Sequence, residues 1–465
     1  MTPHELSAVE LLAAYRAKRL SPLEAMKDVL DRVRRFEPHI KATYLLNGER
    51  ALTEAKASET RWLRGEPSGA LDGVPATVKD NLATKGEPTP LGTAASDMTP
   101  AAADAPPVAR LREAGAIIFA KTTMPDYGML SSGVSSFHPL TRNPWDLTRN
   151  PGGSSAGAAA AAAAGYGPLH IGTDIGGSVR LPAGWCGLFG LKPSLGRIPI
   201  DPPYIGRVAG PLTRAVDDAA LMMSVLSAPD ARDFMSLPPE TVDWAIKPAK
   251  LRGLKIGLML DAGSGAPPTD EVRAAIETTA RDFVAAGAIV EPMERFLSQD
   301  MLDGWDRFFR MRSHLDLCAL PSDRHAKVLP FIRAWADSAA TYSGVDVFSG
   351  YSQLTAMRKA TAAATAAYDF VLSPTAPMVA YSAEDPMPSN DPLNPFTHIG
   401  FTLPFSLSEQ PAASINCGYS QEGLPIGLQI VGRRFDDVGV IAVSRAFEEM
   451  RRGSARPWPE PPSSV

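Results

Sequence analysis

Serine and glycine fall together twice in a short span of this chain. One segment reads Pro151-Gly152-Gly153-Ser154-Ser155-Ala156-Gly157, the other Gly172-Thr173-Asp174-Ile175-Gly176-Gly177-Ser178-Val179-Arg180. Glycine lets the backbone approach a ligand and take φ > 0, so successive N–H groups can converge on one point. A serine inside such a turn has donors beside it that can hold a developing oxyanion. Either segment alone reads as a surface turn with an incidental serine. Together, bracketing an alanine tract, they favour acyl transfer to a serine. Gly153 to Gly157 also matches the G-x-S-x-G nucleophile elbow. However, Pro144 and Pro151 make the preceding residues a poor central strand, and His314, His325 and His398 stand in no motif that marks a base.

Without histidine, a lysine kept neutral can take the proton of a nucleophile. Lys79 ends the apolar run Val74-Pro75-Ala76-Thr77-Val78. Burial disfavours the charged amine and lowers its pKa. Bringing it from about 10.4 to about 7–8 represents roughly 4 kcal/mol against the ammonium form. The other reading, a strand-end lysine that reaches solvent or pairs with Asp80, stays open on spacing alone.

These groups need a body to hold them. The chain has 465 residues, and its formal charge is 46 − 51 = −5. That balance offers no broad basic face to nucleic acid or anionic lipid. Cys186, Cys318 and Cys417 lie far apart, which makes neither a disulfide framework nor a zinc site. No metal or cofactor is expected. No apolar run approaches the roughly 20 residues that span a bilayer, and the start reads as an amphipathic helix, so a soluble cytoplasmic protein with no membrane partner is expected.

Residues 5–65 read as three helices, forming an N-terminal helical segment (1–65) ahead of the main body (66–465). From about 70, strand patterns at 74–79, 116–121 and 170–173 alternate with a helix at 107–114, which predicts a mostly parallel or mixed sheet covered on both faces. Residues 228–250 read as a linker. A βαβ lobe follows over 254–292, then helices at 299–318, 326–342 and 350–369, so that about 250–369 forms a lobe and helical insertion. Strands return at 370–373, 412–416 and 426–431, with a last helix at 436–451 and a mobile proline-rich tail over 458–465.

Three separated stretches resemble the amidase signature family: Gly73-Val74-Pro75-Ala76-Thr77-Val78-Lys79-Asp80-Asn81, then residues 151–157, then 172–183. Cys186 to Arg197, Gly210-Pro211-Leu212-Thr213-Arg214 and Gly423-Leu424-Pro425-Ile426-Gly427-Leu428-Gln429 continue in the same style. The resemblance implies an α/β fold with a large mixed, mostly parallel twisted sheet between helical layers. It implies a Ser-cisSer-Lys triad: Ser178 as nucleophile, Ser154 as bridging serine after a cis Gly153–Ser154 peptide, and Lys79 as general base. Ile175, Gly176, Gly177 and Ser178 match the backbone donors of the oxyanion hole, and Gly128 matches a pocket position that contacts substrate in some members.

Ser155 reads equally as a relay partner or as the N-cap of the alanine helix. Asp174 and Arg180 read as loop-ordering, and Cys186 as a buried apolar residue. The pocket is expected from loops near 125–140 and 200–207, the helices of 300–360, and residues 380–410, with Met129, Tyr204, Phe309 and Phe396 as candidate walls. Ala156 where many members have glycine, and Asn416 where proline is usual, depart from the family pattern. The activity implied is hydrolysis of a small carboxamide to an acid and ammonia or amine through an acyl-Ser178 intermediate. The alternative is the amidase subunit of a multi-subunit, glutamine-dependent tRNA amidotransferase. The partners expected are a small-molecule amide, no nucleic acid by itself, and a second copy in a homodimer.

Overall fold

The computed structural model describes residues 2–453 and 456–461. Among these, eleven strands form one sheet: β1 Thr43–Leu46, β2 Pro75–Lys79, β3 Ile117–Thr122, β4 Leu169–Asp174, β5 Phe189–Lys192, β6 Val208–Thr213, β7 Lys255–Leu258, β8 Ile289–Pro292, β9 Phe370–Pro374, β10 Ala412–Tyr419 and β11 Pro425–Gly432. Their spatial order is β1-β3-β2-β4-β6-β5-β10-β11-β9-β7-β8. Every residue of β2, β3, β4, β6 and β11 is buried, as a sheet covered on both faces requires.

The α/β class and the mixed sheet agree with the sequence reading, but the parallel share is smaller than expected. Four pairings are parallel, confined to β3-β2-β4 and β9-β7-β8, and the other six are antiparallel. The difference comes from β5 and β6, which the sequence reading did not mark as strands. Gly190 and Pro211, poor strand formers by propensity, sit inside them. β5 pairs antiparallel with both β6 and β10, so β10 and β11 enter the sheet antiparallel.

The first 65 residues carry the three expected helices, Ala8–Arg16, Pro22–Ile40 and Gly48–Arg64. The second starts as its sequence dictates, with Pro22 in the first turn and a reciprocal capping box between Ser21 and Glu24. Between the second and third lies β1, a four-residue edge strand too short to announce itself, paired antiparallel to β3. No helix or strand occurs between Leu226 and Lys255, yet Trp244 and Ile246 from this stretch are buried. The expected helix at 326–342 shortens to Pro330–Asp337, and the last runs over Asp437–Met450.

The tail differs from expectation. Arg214 lies over the Trp458 ring, 4.6 Å from its centroid, and Arg32 pairs with Glu460 at 2.7 Å. Residues 462–465 of that tail lie outside the described residues.

Helix Ala156–Ala164 passes through the interior, and all nine of its residues are buried. A Cβ on Gly157 would come within 2.3 Å of the Ala42 carbonyl oxygen and 2.4 Å of the Thr123 nitrogen. Only small side chains let a helix lie this close to a neighbouring backbone, which is the physical reason for the alanine tract.

Candidate active site

β2 and β4 run parallel and side by side, with Val78 opposite Ile171, so their C-terminal ends emerge at the same edge of the sheet. Lys79 is the last residue of β2, and Thr173 lies at the end of β4. Two loops fold over this edge. One carries Ser154 and Ser155 into helix Ala156–Ala164, and the other carries residues 175–179 into helix Arg180–Cys186. In the first loop the Gly153–Ser154 peptide is cis.

Lys79 is fully buried. Its Nζ lies 2.7 Å from Ser154 Oγ, 3.1 Å from Ser155 Oγ and 3.1 Å from Thr173 Oγ1. Burial pushes its pKa well below the ordinary lysine value, and the charge of Arg207 pushes the same way, while Asp174 and Asp80 act against this without reversing it. The Lys79–Asp80 pairing left open by spacing is not formed. Asp80 instead accepts from Leu91 N and Gly92 N, and its Oδ2 lies 2.9 Å from His138 Nε2.

Three hydroxyls around one nitrogen suit a neutral amine, which has two hydrogens to give and one lone pair to receive.

Ser155 occupies the N-cap position of the alanine helix but makes no capping hydrogen bond. Its hydroxyl lies instead within reach of Lys79 and of the Thr173 carbonyl oxygen at 3.3 Å. No strand leads into Ser155, so the nucleophile-elbow geometry is absent. Thr173 was not singled out in the sequence, where a lone threonine between Gly172 and Asp174 carries no signal.

Ser178 is part-exposed and lines the same cavity as Ser154. Its carbonyl oxygen accepts from Ser155 N at 3.2 Å, which ties the two loops together. Among the described residues its hydroxyl makes no hydrogen bond, whether to Ser154 or to a histidine.

Of the four backbone donors suggested for an oxyanion, Gly177 is committed elsewhere. Its N–H donates to Asp174 Oδ1 at 2.9 Å. The N–H groups of Ile175, Gly176 and Ser178 have no acceptor among the described residues. Gly128, at φ +71°, lies against the bridging serine: a Cβ there would stand 3.2 Å from Ser154 Oγ.

Asp174 and Arg180 hold the second loop, as their charges suggested. Both are wholly buried and form a two-point pair, at 2.9 Å and 3.0 Å. Asp174 also accepts from Val179 N, and Arg180 donates to Thr402 O, Gln429 Oε1 and Ser406 Oγ. Burial alone would raise the Asp174 pKa, but the guanidinium of Arg180 outweighs it and holds the carboxyl below its ordinary value. Arg180→Met strands a buried carboxylate and is expected to destabilise the fold by about 3–5 kcal/mol. Denaturant midpoints measured beside the wild type check this. Cys186 is fully buried, and burial raises its thiol pKa, as expected of an apolar filler.

The site opens into a cavity of about 620 Å³. Met129, Tyr204, Phe309 and Phe396 all line it. So do Trp305, Trp335, Arg207 and Arg312, which lie in the expected pocket segments but were not picked out as individual residues. The aromatic pair at Phe308 and Phe309 inside helix Gln299–Cys318 was the one available hint. Among the described residues no group of histidine, cysteine and carboxylate side chains could hold a metal, and no helix is long and apolar enough to cross a membrane.

Comparison with known proteins accords with this geometry. The family model described as Amidase matches residues 24–441. The protein is 33% identical to the A subunit of the glutamyl-tRNA(Gln) amidotransferase of Myxococcus xanthus, covering 96% of this chain and 97% of that protein. It is 34% identical to the same subunit from Moorella thermoacetica, over 97% and 96% of the two chains. Among solved structures, a bacterial aryl acylamidase of the amidase signature family superposes with a TM-score of 0.89 at 31% identity, covering 97% of this chain and 99% of the other. The peptide amidase of Stenotrophomonas maltophilia does so at 0.84 and 25% identity, with 99% of each chain covered.

One expectation is corrected here. A chain serving only a small-molecule amide, with no nucleic acid and at most a second copy of itself, does not fit relatives that are subunits of an enzyme acting on glutamyl-tRNA(Gln). The sequence misled because a net charge of −5 reports only this chain's own surface. Over nearly its whole length, in sequence and in fold, the chain belongs to the amidase family, the amidase signature enzymes, which act on C–N bonds.

Proposed function

We propose that the chain cleaves a carboxamide C–N bond through an acyl-Ser178 intermediate, as the amide-hydrolysing subunit of a glutamine-dependent amidotransferase. The observation that carries the chemistry is the 2.7 Å contact between a fully buried Lys79 amine and Ser154. The neutral amine gives its two hydrogens to Ser155 and Thr173 and keeps its lone pair toward Ser154. Ser154 passes its proton to Lys79 and takes one from Ser178, whose Oγ attacks the amide carbonyl. The N–H groups of Ile175, Gly176 and Ser178 receive the negative oxygen. Ser154 then returns a proton to the departing nitrogen, which leaves as ammonia because a bare amide anion is a very poor leaving group. Water enters, and the same relay run in reverse frees the acid and Ser178.

The subunit reading is supported by relatives that span the whole chain at 30–34% identity. It is tested by reconstituting the chain with the remaining subunits of a glutamyl-tRNA(Gln) amidotransferase. Ammonia release from glutamine and amidation of glutamyl-tRNA are expected, both lost in Ser178→Ala. No assembly and no glutamine turnover, alongside turnover of other amides, would sink the subunit reading and keep the hydrolase.

A second reading of the substrate is favoured by the wall of Trp305, Phe309, Trp335 and Phe396, which suits an amide bearing an apolar ring. Anilides assayed beside glutamine separate the two.

A further inference from the structure

The geometry points to the indole N–H of Trp305 as a specificity-determining donor that selects amides carrying a carboxylate beyond the scissile group. This rests on the amide-hydrolase reading above.

Trp305 stands in helix Gln299–Cys318 and is 4% exposed, yet its Nε1 is buried without a hydrogen-bond partner among the described residues. Four other tryptophans find acceptors within the chain: Trp62 donates to Asp72 O, Trp145 to Cys186 O, Trp185 to Met378 O, and Trp335 to Asp306 Oδ1. A buried donor left unpaired is rare in a folded protein and calls for an acceptor from outside the chain.

The orientation of the ring says where that acceptor sits. A Cβ on Gly176 would lie 3.9 Å from Trp305 Cζ2. Cζ2 is bonded to the same ring carbon as Nε1, so the N–H sits close to the part of the indole that meets the 175–178 loop. Phe309, 4.5 Å away, and Phe396, edge-on at 4.8 Å, clamp the ring. It cannot swing to a partner within the protein, and it lines the cavity that holds Ser154 and Ser178.

The charge of the wall says what the acceptor is. Arg207 lines the same cavity, donates to Pro202 O at 2.8 Å, and forms no ion pair among the described residues. Of the wall carboxylates, Asp316 is engaged with Arg312 at 3.8 Å and Asp201 is exposed. A guanidinium without a carboxylate partner in the same cavity as an unpaired N–H suits an anionic oxygen.

Trp305→Phe keeps an aromatic side chain at this position and removes the donor together with part of the indole. Glutaramate, which has both a carboxamide and a carboxylate, is compared with butyramide, which lacks the carboxylate. The substitution is expected to lower kcat/KM for glutaramate about 10-fold more than for butyramide, mainly through KM. In the Ser178→Ala protein, the indole ¹H–¹⁵N resonance of Trp305, identified by its absence after Trp305→Phe, should move on adding glutaramate and not butyramide. Equal losses on both amides, or a resonance unmoved while other resonances report glutaramate binding, overturn the assignment. If neither amide is turned over but the resonance moves, the hydrolase reading fails and the binding role of Trp305 stands.

Discussion

Replacing Lys79 with methionine is expected to lower kcat by about 10⁴-fold without lowering the melting temperature. Methionine fills most of the same volume with no group that can accept the Ser154 proton. The stability half follows from linkage. In the folded chain the Lys79 pKa is held well below its ordinary value, chiefly by burial. Between that lowered value and about 10.4, the unfolded chain binds a proton that the folded chain does not. Stability therefore rises with pH across this window in the wild type, reaching its full value only above the unfolded pKa. The methionine variant should lose that slope, most visibly as a relative gain in Tm near neutral pH. Wild-type kcat/KM should climb with pH as the free amine appears. Lys79→Arg, charged at every accessible pH, should be as inactive as the methionine variant. Turnover within tenfold of wild type in either variant would end the lysine-base mechanism.

The second large effect concerns Ser178. Ser178→Ala is expected to reduce turnover by at least about 10⁴-fold and to abolish covalent labelling by fluorophosphonate reagents. Ser155→Ala should keep the label. The two serines differ in position: Ser178 is part-exposed to the cavity with an unengaged hydroxyl, whereas Ser155 is buried and turned toward Lys79 and Thr173. Intact-mass spectrometry of labelled protein, followed by peptide mapping, reads the outcome directly. A label found on Ser155, or labelling undiminished in Ser178→Ala, would show the nucleophile to be wrongly assigned and return the elbow chemistry to consideration.

How legible all this was in the sequence depended on whether a role is carried by residue type or by distance. The two glycine–serine turns were legible because glycine at such density announces close backbone approach, and both turns line one cavity. Lys79 was legible as a charged residue ending an apolar strand. Its surroundings were not: whether it pairs with Asp80 or with hydroxyls depends on which way each side chain leaves β2. Ser155 remained ambiguous for the same reason, since an N-cap and a relay partner are both serines at a helix start. β5 and β6 were hidden by their glycine and proline, and β1 by its length. Trp305 and Arg207 lie in segments expected to build the pocket, but which of their side chains face Ser178 depends on packing that no local pattern carries. The partner reading failed differently, because a formal charge describes one surface and not the surfaces it meets.

The buried alanine helix restricts how such an enzyme can diversify. With backbone atoms of residues 42 and 123 less than 2.5 Å from where a methyl on Gly157 would stand, this flank tolerates almost no enlargement. The cavity wall contributed by residues 201–207 and 305–335 belongs to segments outside the central strands. A lineage seeking new amides is thus confined to redecorating that wall, while the turn and helix that carry Ser154 stay fixed for lack of room.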